Sequence, residues 1–207
     1  SGERTTLASF NLVNGDLTDF DPILSQAAAS ELAYDSSTDT LAVGGFTWGI
    51  GGTRRNGIAK IKPDGTLDEN FNPDIHGFVY TLMFDETSNT IFASGAFGSV
   101  NNNTAPTARV NFAGFNATDG SVTNFDPGFS DANGFLDDLA ISISIDHNSN
   151  LIYLAGIFNS VNNNAIPLTR NNIAAFYLST SIATSFDPDV DDAALLVYLD
   201  RVNAQVV

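Results

Sequence analysis

A repeat of roughly fifty to sixty residues runs through the chain nearly four times and constrains its fold more than any other feature. Each copy carries a Phe-Asp/Asn-Pro anchor, and the anchor phenylalanines are Phe20, Phe71, Phe125 and Phe186. An arginine recurs with the same spacings, at Arg4, Arg55, Arg109 and Arg170. Because two landmarks keep one phase across four copies, the chain is predicted to be a modular array.

Each copy contains four short segments rich in β-forming residues, separated by turn signals. The third segment ends at an aspartate (Asp35, Asp85, Asp146 and Asp200), and the fourth carries Gly44-Gly45-Phe46, Gly95-Ala96-Phe97 or Gly156-Ile157-Phe158. No window has sustained helical periodicity. We therefore predict an all-β fold, a β-propeller of about four tandem four-stranded blades whose fourth copy is truncated at its end. Residues 1–207 form one domain, with repeats at approximately 3–53, 54–107, 108–169 and 170–207.

The amino-acid composition limits the classes of partner that the chain is expected to bind. The net charge of −16, from 24 acidic and 8 basic residues, argues against binding to nucleic acid or anionic membranes. No apolar run approaches the roughly twenty residues of a membrane span, so no membrane insertion is expected. The chain begins Ser1-Gly2-Glu3 without Met and with no signal peptide, which we interpret as a processed form or a portion of a longer product. Its two lysines, its richness in Asn, Asp, Ser and Thr and its low pI favour an extracellular or cell-surface location.

The segment from Arg55 to Pro73, with Gly44-Gly45-Phe46 before it, resembles the bacterial delta-60 repeat of large secreted and surface proteins. The resemblance covers essentially the whole chain and is strongest in the second copy. It implies a β-propeller and an extracellular setting. It implies no catalytic residues, because the family has no agreed ones.

Acidic residues give two candidate cation sites. Asp187, Asp189 and Asp191 alternate as at the start of a Ca²⁺ loop, but the sixth-position glycine is missing and Tyr198 stands in place of the distal Glu. The alternative is a solvated acidic turn. The Asp-x-x-x-Asp/Asn loops after the third segments offer a second site, although such side chains more often cap their own turns. No other cofactor is expected.

The remaining candidates are structural or surface features. The repeated arginines are expected to bridge backbone carbonyls or an aspartate of the next blade, with a channel ring for anionic ligands as the alternative. Asn102 and Asn116 lie in glycosylation sequons. Trp48 lies in a segment unlike those of the other copies, which we interpret as a ligand loop or as loop packing.

Three functions are compatible with these features. The first is a non-enzymatic extracellular structural protein, such as a surface-layer, matrix, filament or adhesin component that self-associates head to tail. The second is a propeller module that binds surface glycans or peptides through its loops. The third is a glycoside hydrolase or lyase, which rests on fold analogy alone because no catalytic motif is present.

Overall fold

The computed structural model describes residues 6–25, 29–101, 104–129, 138–163 and 166–207. Arg4 and Asn102 lie outside them. Every regular element in these residues is a β-strand, as the sequence predicts. The strands are β1 (Leu24–Ser25), β2 (Ala29–Asp35), β3 (Thr40–Ile50), β4 (Thr53–Ile61), β5 (Gly77–Asp85), β6 (Thr90–Phe97), β7 (Ser99–Val100), β8 (Thr107–Ala108), β9 (Phe112–Asn116), β10 (Leu139–Asp146), β11 (Leu151–Ile157), β12 (Ser160–Asn163), β13 (Ile166–Thr169), β14 (Ile173–Tyr177), β15 (Leu199–Asp200) and β16 (Gln205–Val206).

Three antiparallel sheets follow one another along the chain. Sheet A joins β2, β3 and β4, with β1 on the end of β3; sheet B joins β5, β6 and β9; sheet C joins β10, β11 and β14. A fourth strand is present in each sheet only as a single bridge, at Leu67, Val122 and Ala183 respectively. The hairpins between the second and third strands of sheets B and C extend outward as the pairs β7–β8 and β12–β13.

Two half-sheets flank these sheets. The first half-sheet, residues 7–18, has the two outer strand positions, joined by the bridge Phe10–Leu17. The second half-sheet, residues 197–207, has the two inner positions, β15 and β16. The described residues form no closed ring, and the predicted four blades, the last of them truncated, are present as three sheets and two halves.

The sequence repeat and the sheets are out of phase by two strands. A repeat that starts at the conserved arginine supplies the third and fourth strands of one sheet and then the first and second strands of the next, as Arg55 in β4 is followed by β5 and β6. The prediction that each repeat forms one blade is wrong in its starting strand, because periodicity fixes the length of a unit and not the strand with which it begins. Each repeat therefore contributes strands to two consecutive sheets and links them through the continuous chain.

A bulge recurs where the first strand meets the second, between Ala29 and Glu31, Val79 and Thr81, and Ala140 and Ser142. In sheets B and C a glycine lies opposite this bulge. A Cβ on Gly95 would lie 2.0 Å from the carbonyl oxygen of Phe78, and one on Gly156 would lie 1.8 Å from that of Leu139. The repeated glycine is therefore required by the close approach of two backbones.

The core lies between neighbouring sheets. One buried cluster joins sheets A and B around Phe71, Val79 and Phe115, and a second joins sheets B and C around Phe112, Phe125 and Phe176. A third cluster, on the other side of sheet A, includes Val43 and Ile61 and is contacted by Leu7 of the first half-sheet and by Phe20, which follows it. Face-to-face packing explains why the strands carry apolar residues on both faces.

Candidate functional site

The outer hairpin of the first half-sheet has the same backbone geometry as its counterparts. The Asn11 N–H donates to the Asp16 carbonyl at 2.8 Å, and the Thr18 N–H donates to the Ser9 carbonyl at 2.9 Å. The turn closes through Gly15, which has a positive φ of 72°. The corresponding bonds in sheets A, B and C are 2.8 to 3.0 Å long, from donors Lys62, Asp68, Asn116, Thr123, Tyr177 and Thr184. The first half-sheet is therefore the outer half of a repeat sheet.

What differs is the exposure of the central apolar position. Phe10 is 59% exposed, whereas the equivalent Ile61, Phe115 and Phe176 are each 0% exposed. In the complete sheets this position is covered on its inner side by the second strand, through the pairs Leu41–Ile61, Ile91–Phe115 and Ile152–Phe176. The first half-sheet thus exposes a position that is core elsewhere.

The second half-sheet is the complementary half. Tyr198 and Val207 exchange backbone hydrogen bonds of 2.7 and 2.9 Å, which align β15 with β16. The second half-sheet is fixed to sheet C by two hydrogen bonds. The Val197 N–H donates to Ser142 Oγ at 3.1 Å, and Nη2 of the Arg201 guanidinium donates to the Ile145 carbonyl at 3.0 Å. Among the described strands β16 pairs only with β15, and Val207 is 69% exposed.

The four aspartates that end the first strands cap their own turns. Each accepts a hydrogen bond of 3.0 to 3.2 Å from the backbone N–H two residues later, from donors Ser37, Thr87, Asn148 and Val202. The fifth turn residue has a positive φ at Asp39, Asn89, Asn150 and Ala204. Hydrogen bonds from Ser149 and Asn203 lower the pKa of Asp146 and Asp200. These contacts are those of Asx-type turns, the favoured of the two interpretations.

One of these aspartates also forms a buried ion pair. Lys60 Nζ lies 3.1 Å from Asp35 Oδ2 and donates to the Ala117 carbonyl of sheet B at 2.8 Å, with both charged side chains 3% exposed. Burial would raise the pKa of Asp35, but hydrogen bonds from Ser37, Thr38 and Lys60, with the Lys60 charge, outweigh it and lower the pKa to about 2. The pair joins β2 to β4 within sheet A, and the Lys60 bond to Ala117 reaches sheet B. Sequence reasoning missed it, although a lysine between Ala59 and Ile61 was a usable signal.

After three of the four capping aspartates, the next residue contacts the turn of the preceding sheet. Glu86 accepts a hydrogen bond from Ser36 Oγ, His147 Nε2 lies 2.8 Å from Asp85 Oδ1, and Arg201 Nε lies 3.9 Å from Asp146 Oδ1. A cleft of about 410 Å³ lies beside the His147–Asp85 contact, between sheets B and C. These polar contacts join successive sheets along one face of the molecule.

The repeated arginines bridge the third strand to the chain after the fourth. Arg55, Arg109 and Arg170 each donate to the carbonyl of the preceding residue and to a carbonyl fourteen residues later, at 2.7 to 3.3 Å. Arg109 and Arg170 also contact Asp126 and Asp187 at 3.5 and 3.1 Å. The aspartate belongs to the arginine's own repeat and not, as predicted, to the next blade. These are the contacts of a structural residue.

The anchor phenylalanines fill the spaces between sheets. Phe71 and Phe125 are buried, and Phe125 contacts Phe92 of sheet B and Phe176 of sheet C. Phe20 and Phe186 are half-buried, because each lies between a complete sheet and a half-sheet. Phe186 packs edge-on against Tyr153.

The candidate Ca²⁺ ligands are engaged by other side chains. Asp187 pairs with Arg170, and Asp189 accepts a 2.6 Å hydrogen bond from Asn171. Asp191 is exposed. Within the described part of the chain no three His, Asp or Glu residues are grouped as a metal site. The three acids therefore are not brought together as a ligand set; Asp187 and Asp189 instead fix the chain after Phe186 to its own repeat.

Of the two sequons, only that of Asn116 is described. Asn116 is exposed at the end of β9, and its Oδ1 accepts a 2.8 Å bond from the Thr118 N–H. The side chain thus participates in the turn between the third and fourth strands.

The Trp48 interpretation requires correction, because Trp48 lies in strand β3 and not in a loop. Its backbone pairs with Arg55 in an extension of the β3–β4 hairpin. The loop interpretation arose because copy one has a shorter hairpin than the other copies, so its strand residues were aligned with their loops.

An aromatic cluster joins the same strand, β3, to β5 of sheet B. The Phe46 ring is 6.3 Å from that of Phe78, which is 4.8 Å from that of Tyr80. Phe46 is 54% and Tyr80 39% exposed. The cluster was missed because the motif alignment matched Phe46 with Phe97. The sheet register instead makes Gly45 equivalent to Gly95, and therefore Phe46 equivalent to Ala96. A one-residue slip moves a strand side chain to the other face.

No helix long and apolar enough to cross a membrane is found in the described residues. No curated protein sequence matches the chain. Two solved structures are similar in fold: the computationally designed Ika4 protein (TM-score 0.51, 11% identity, 88% of this chain and 91% of that chain) and Saccharomyces cerevisiae Sqt1 (TM-score 0.54, 10% identity, 92% of this chain and 57% of that chain).

At these identities the likeness concerns the fold alone. A family described as "Domain of unknown function (DUF5122) beta-propeller" matches residues 37–71, which run from the β2–β3 turn of sheet A to the anchor Phe71. This match, together with the antiparallel sheets in tandem, supports a β-propeller repeat family for this chain.

Proposed function

We propose that this chain is a non-enzymatic structural protein of the cell exterior, of the delta-60 type, that self-associates through its two half-sheets. Sheets A, B and C are its complete blades, and the half-sheets are the outer and inner halves of a fourth. The carrying observation is the exposure of Phe10 at a position where Ile61, Phe115 and Phe176 are fully buried. An exposed sheet edge beside exposed apolar residues favours pairing with another chain.

Composition supports the location and the lack of catalysis in this proposal. The charge of −16 keeps such a surface soluble while its edges associate. The repeated polar residues are used in turns and in bridges between strands. The His147–Asp85 contact joins two sheets, and the Ser88 hydroxyl donates to the same carboxylate as part of the Asp85 turn.

The test is light scattering coupled to size exclusion over a hundredfold range of protein concentration. We expect the native chain to gain mass with concentration, and Phe10→Asp to weaken association about tenfold or more, because it places a charge in the interface. Leu12→Asp is the matched control: it is also an exposed apolar residue of the first half-sheet, but it lies in the turn. A native chain that stays monomeric throughout would refute the proposal.

A second function is favoured by the aromatic cluster of Phe46, Phe78 and Tyr80. Exposed aromatic rings with one hydroxyl are suited to stacking on neutral sugar rings, and the acidic surface disfavours anionic glycans. A glycan array with native chain and Phe46→Ala tests this. Retained or absent binding in both proteins would count against the cluster as a glycan site; Tyr177→Ala, another exposed aromatic, is the control.

A further inference from the structure

In the first half-sheet, the backbone N–H and C=O of Phe10 point to the edge that no other described strand occupies. Bonds between Thr18 and Ser9 and between Asn11 and Asp16 occupy the outer edge. Hydrogen bonds alternate along an antiparallel strand, so the N–H and C=O of Phe10 point to the opposite, inner edge. In the complete sheets the equivalent residues face the second strand there.

The second half-sheet has the matching residue. Tyr198 and Val207 exchange both backbone bonds, so Val207 is directed toward β15. By the same alternation the N–H and C=O of Val206 point to the open edge of β16. Val206 lies six residues after its capping Asp200, as Leu41 lies six after Asp35, and Leu41 is the partner of Ile61.

Three internal examples therefore define how the halves fit. The pairs Leu41–Ile61, Ile91–Phe115 and Ile152–Phe176 all join the position of Val206 to the position of Phe10. The two edges are also apolar in the same way, since Phe10 and Val207 are 59% and 69% exposed.

We propose that the second half-sheet of one copy completes the first half-sheet of another copy, with Val206 opposite Phe10, Val207 opposite Ser9 and Gln205 opposite Asn11. This rests on the proposed self-association and names its partner and register. The partner is a second copy because the two edges of this chain match each other in strand position and register. The contact joins unlike surfaces, so repeated pairing that does not close gives a head-to-tail filament.

Engineered thiols test the register, because the chain has no cysteine. A Ser9→Cys chain is mixed with a tagged Val207→Cys chain under mild oxidation, and products are separated on a non-reducing gel. Phe10 and Val206 form a hydrogen-bonded pair in this register, so Ser9 and Val207 form a non-hydrogen-bonded pair with Cα atoms about 4.5 Å apart, within disulfide range. Gln205→Cys replaces Val207→Cys in the control, because its diagonal separation of about 7–8 Å is too long.

We expect a disulfide-linked heterodimer from the first mixture and little from the control. Association by light scattering without the Ser9–Val207 bond would overturn the register while the proposed function stands. Monomeric protein with no bond would overturn both. A double variant that forms only an intramolecular Ser9–Val207 bond, even at high concentration, would show that one chain closes on itself and would overturn pairing between copies.

Discussion

Replacement of Lys60 by methionine tests how much the buried Lys60–Asp35 pair and the Lys60 bond to sheet B stabilise the fold. The change removes the ammonium that contacts Asp35 Oδ2 at 3.1 Å and the Ala117 carbonyl at 2.8 Å, and leaves a carboxylate that is 3% exposed. Breaking one partner of a buried pair costs about 3–5 kcal/mol. Part of this follows from Asp35 itself, whose pKa is lowered from 3.8 to about 2, equivalent to roughly 2.5 kcal/mol.

The assay is urea unfolding at pH 7 and one fixed, dilute protein concentration, since association shifts the midpoint. Lys62→Met is the matched control, because Lys62 is the other lysine of the chain and is exposed. We expect Lys60→Met to lose about 3–5 kcal/mol and Lys62→Met to change by less than about 0.5 kcal/mol. Adding Asp35→Asn to Lys60→Met should recover stability, because it removes the unpaired charge. Equal stability of the two single lysine variants would refute the reasoning.

Three further predictions follow from the described contacts. Because the pKa of Asp35 is lower in the folded state, its contribution is complete above about pH 4 and is lost as pH falls toward 2; a pH series of unfolding free energies should show a loss of roughly 2.5 kcal/mol that Asp35→Asn lacks. Arg55→Lys should cost about 1–3 kcal/mol because a lysine cannot span two carbonyls, whereas the adjacent exposed Arg54→Lys should be near neutral, and equal effects would contradict the bridging role. Gly95→Ala should lower the melting temperature more than Gly51→Ala, since only Gly95 lies against a backbone carbonyl, and the reverse order would contradict the close approach.

Local chemistry was well predicted from the sequence. The third segments of the repeats end at Asp35, Asp85, Asp146 and Asp200 in the structure as predicted, because an aspartate that caps its own turn needs only nearby residues. The all-β class followed from strand propensity in the same way. The start of each sheet was not predictable, because a repeat has no marked beginning and the interlocked strands come from adjacent copies.

Contacts between residues far apart in sequence were the least predictable. The strand order within sheet A brings Lys60 to Asp35, and the order of the sheets brings His147 to Asp85. Phe46 was aligned with Phe97 and not with Ala96 because Gly44-Gly45 offered two alignments with the single Gly95, and a bulge decides between them. The exposure of Phe10 depends on which strand lies beside it, which no local pattern records.

Negative-stain electron microscopy of the native chain beside Phe10→Asp shows directly whether the half-sheets join one copy to another. We expect head-to-tail rows of particles for the native chain that lengthen with concentration, and single particles for Phe10→Asp. Discrete particles of one size for the native chain at every concentration, indistinguishable from Phe10→Asp, would contradict it.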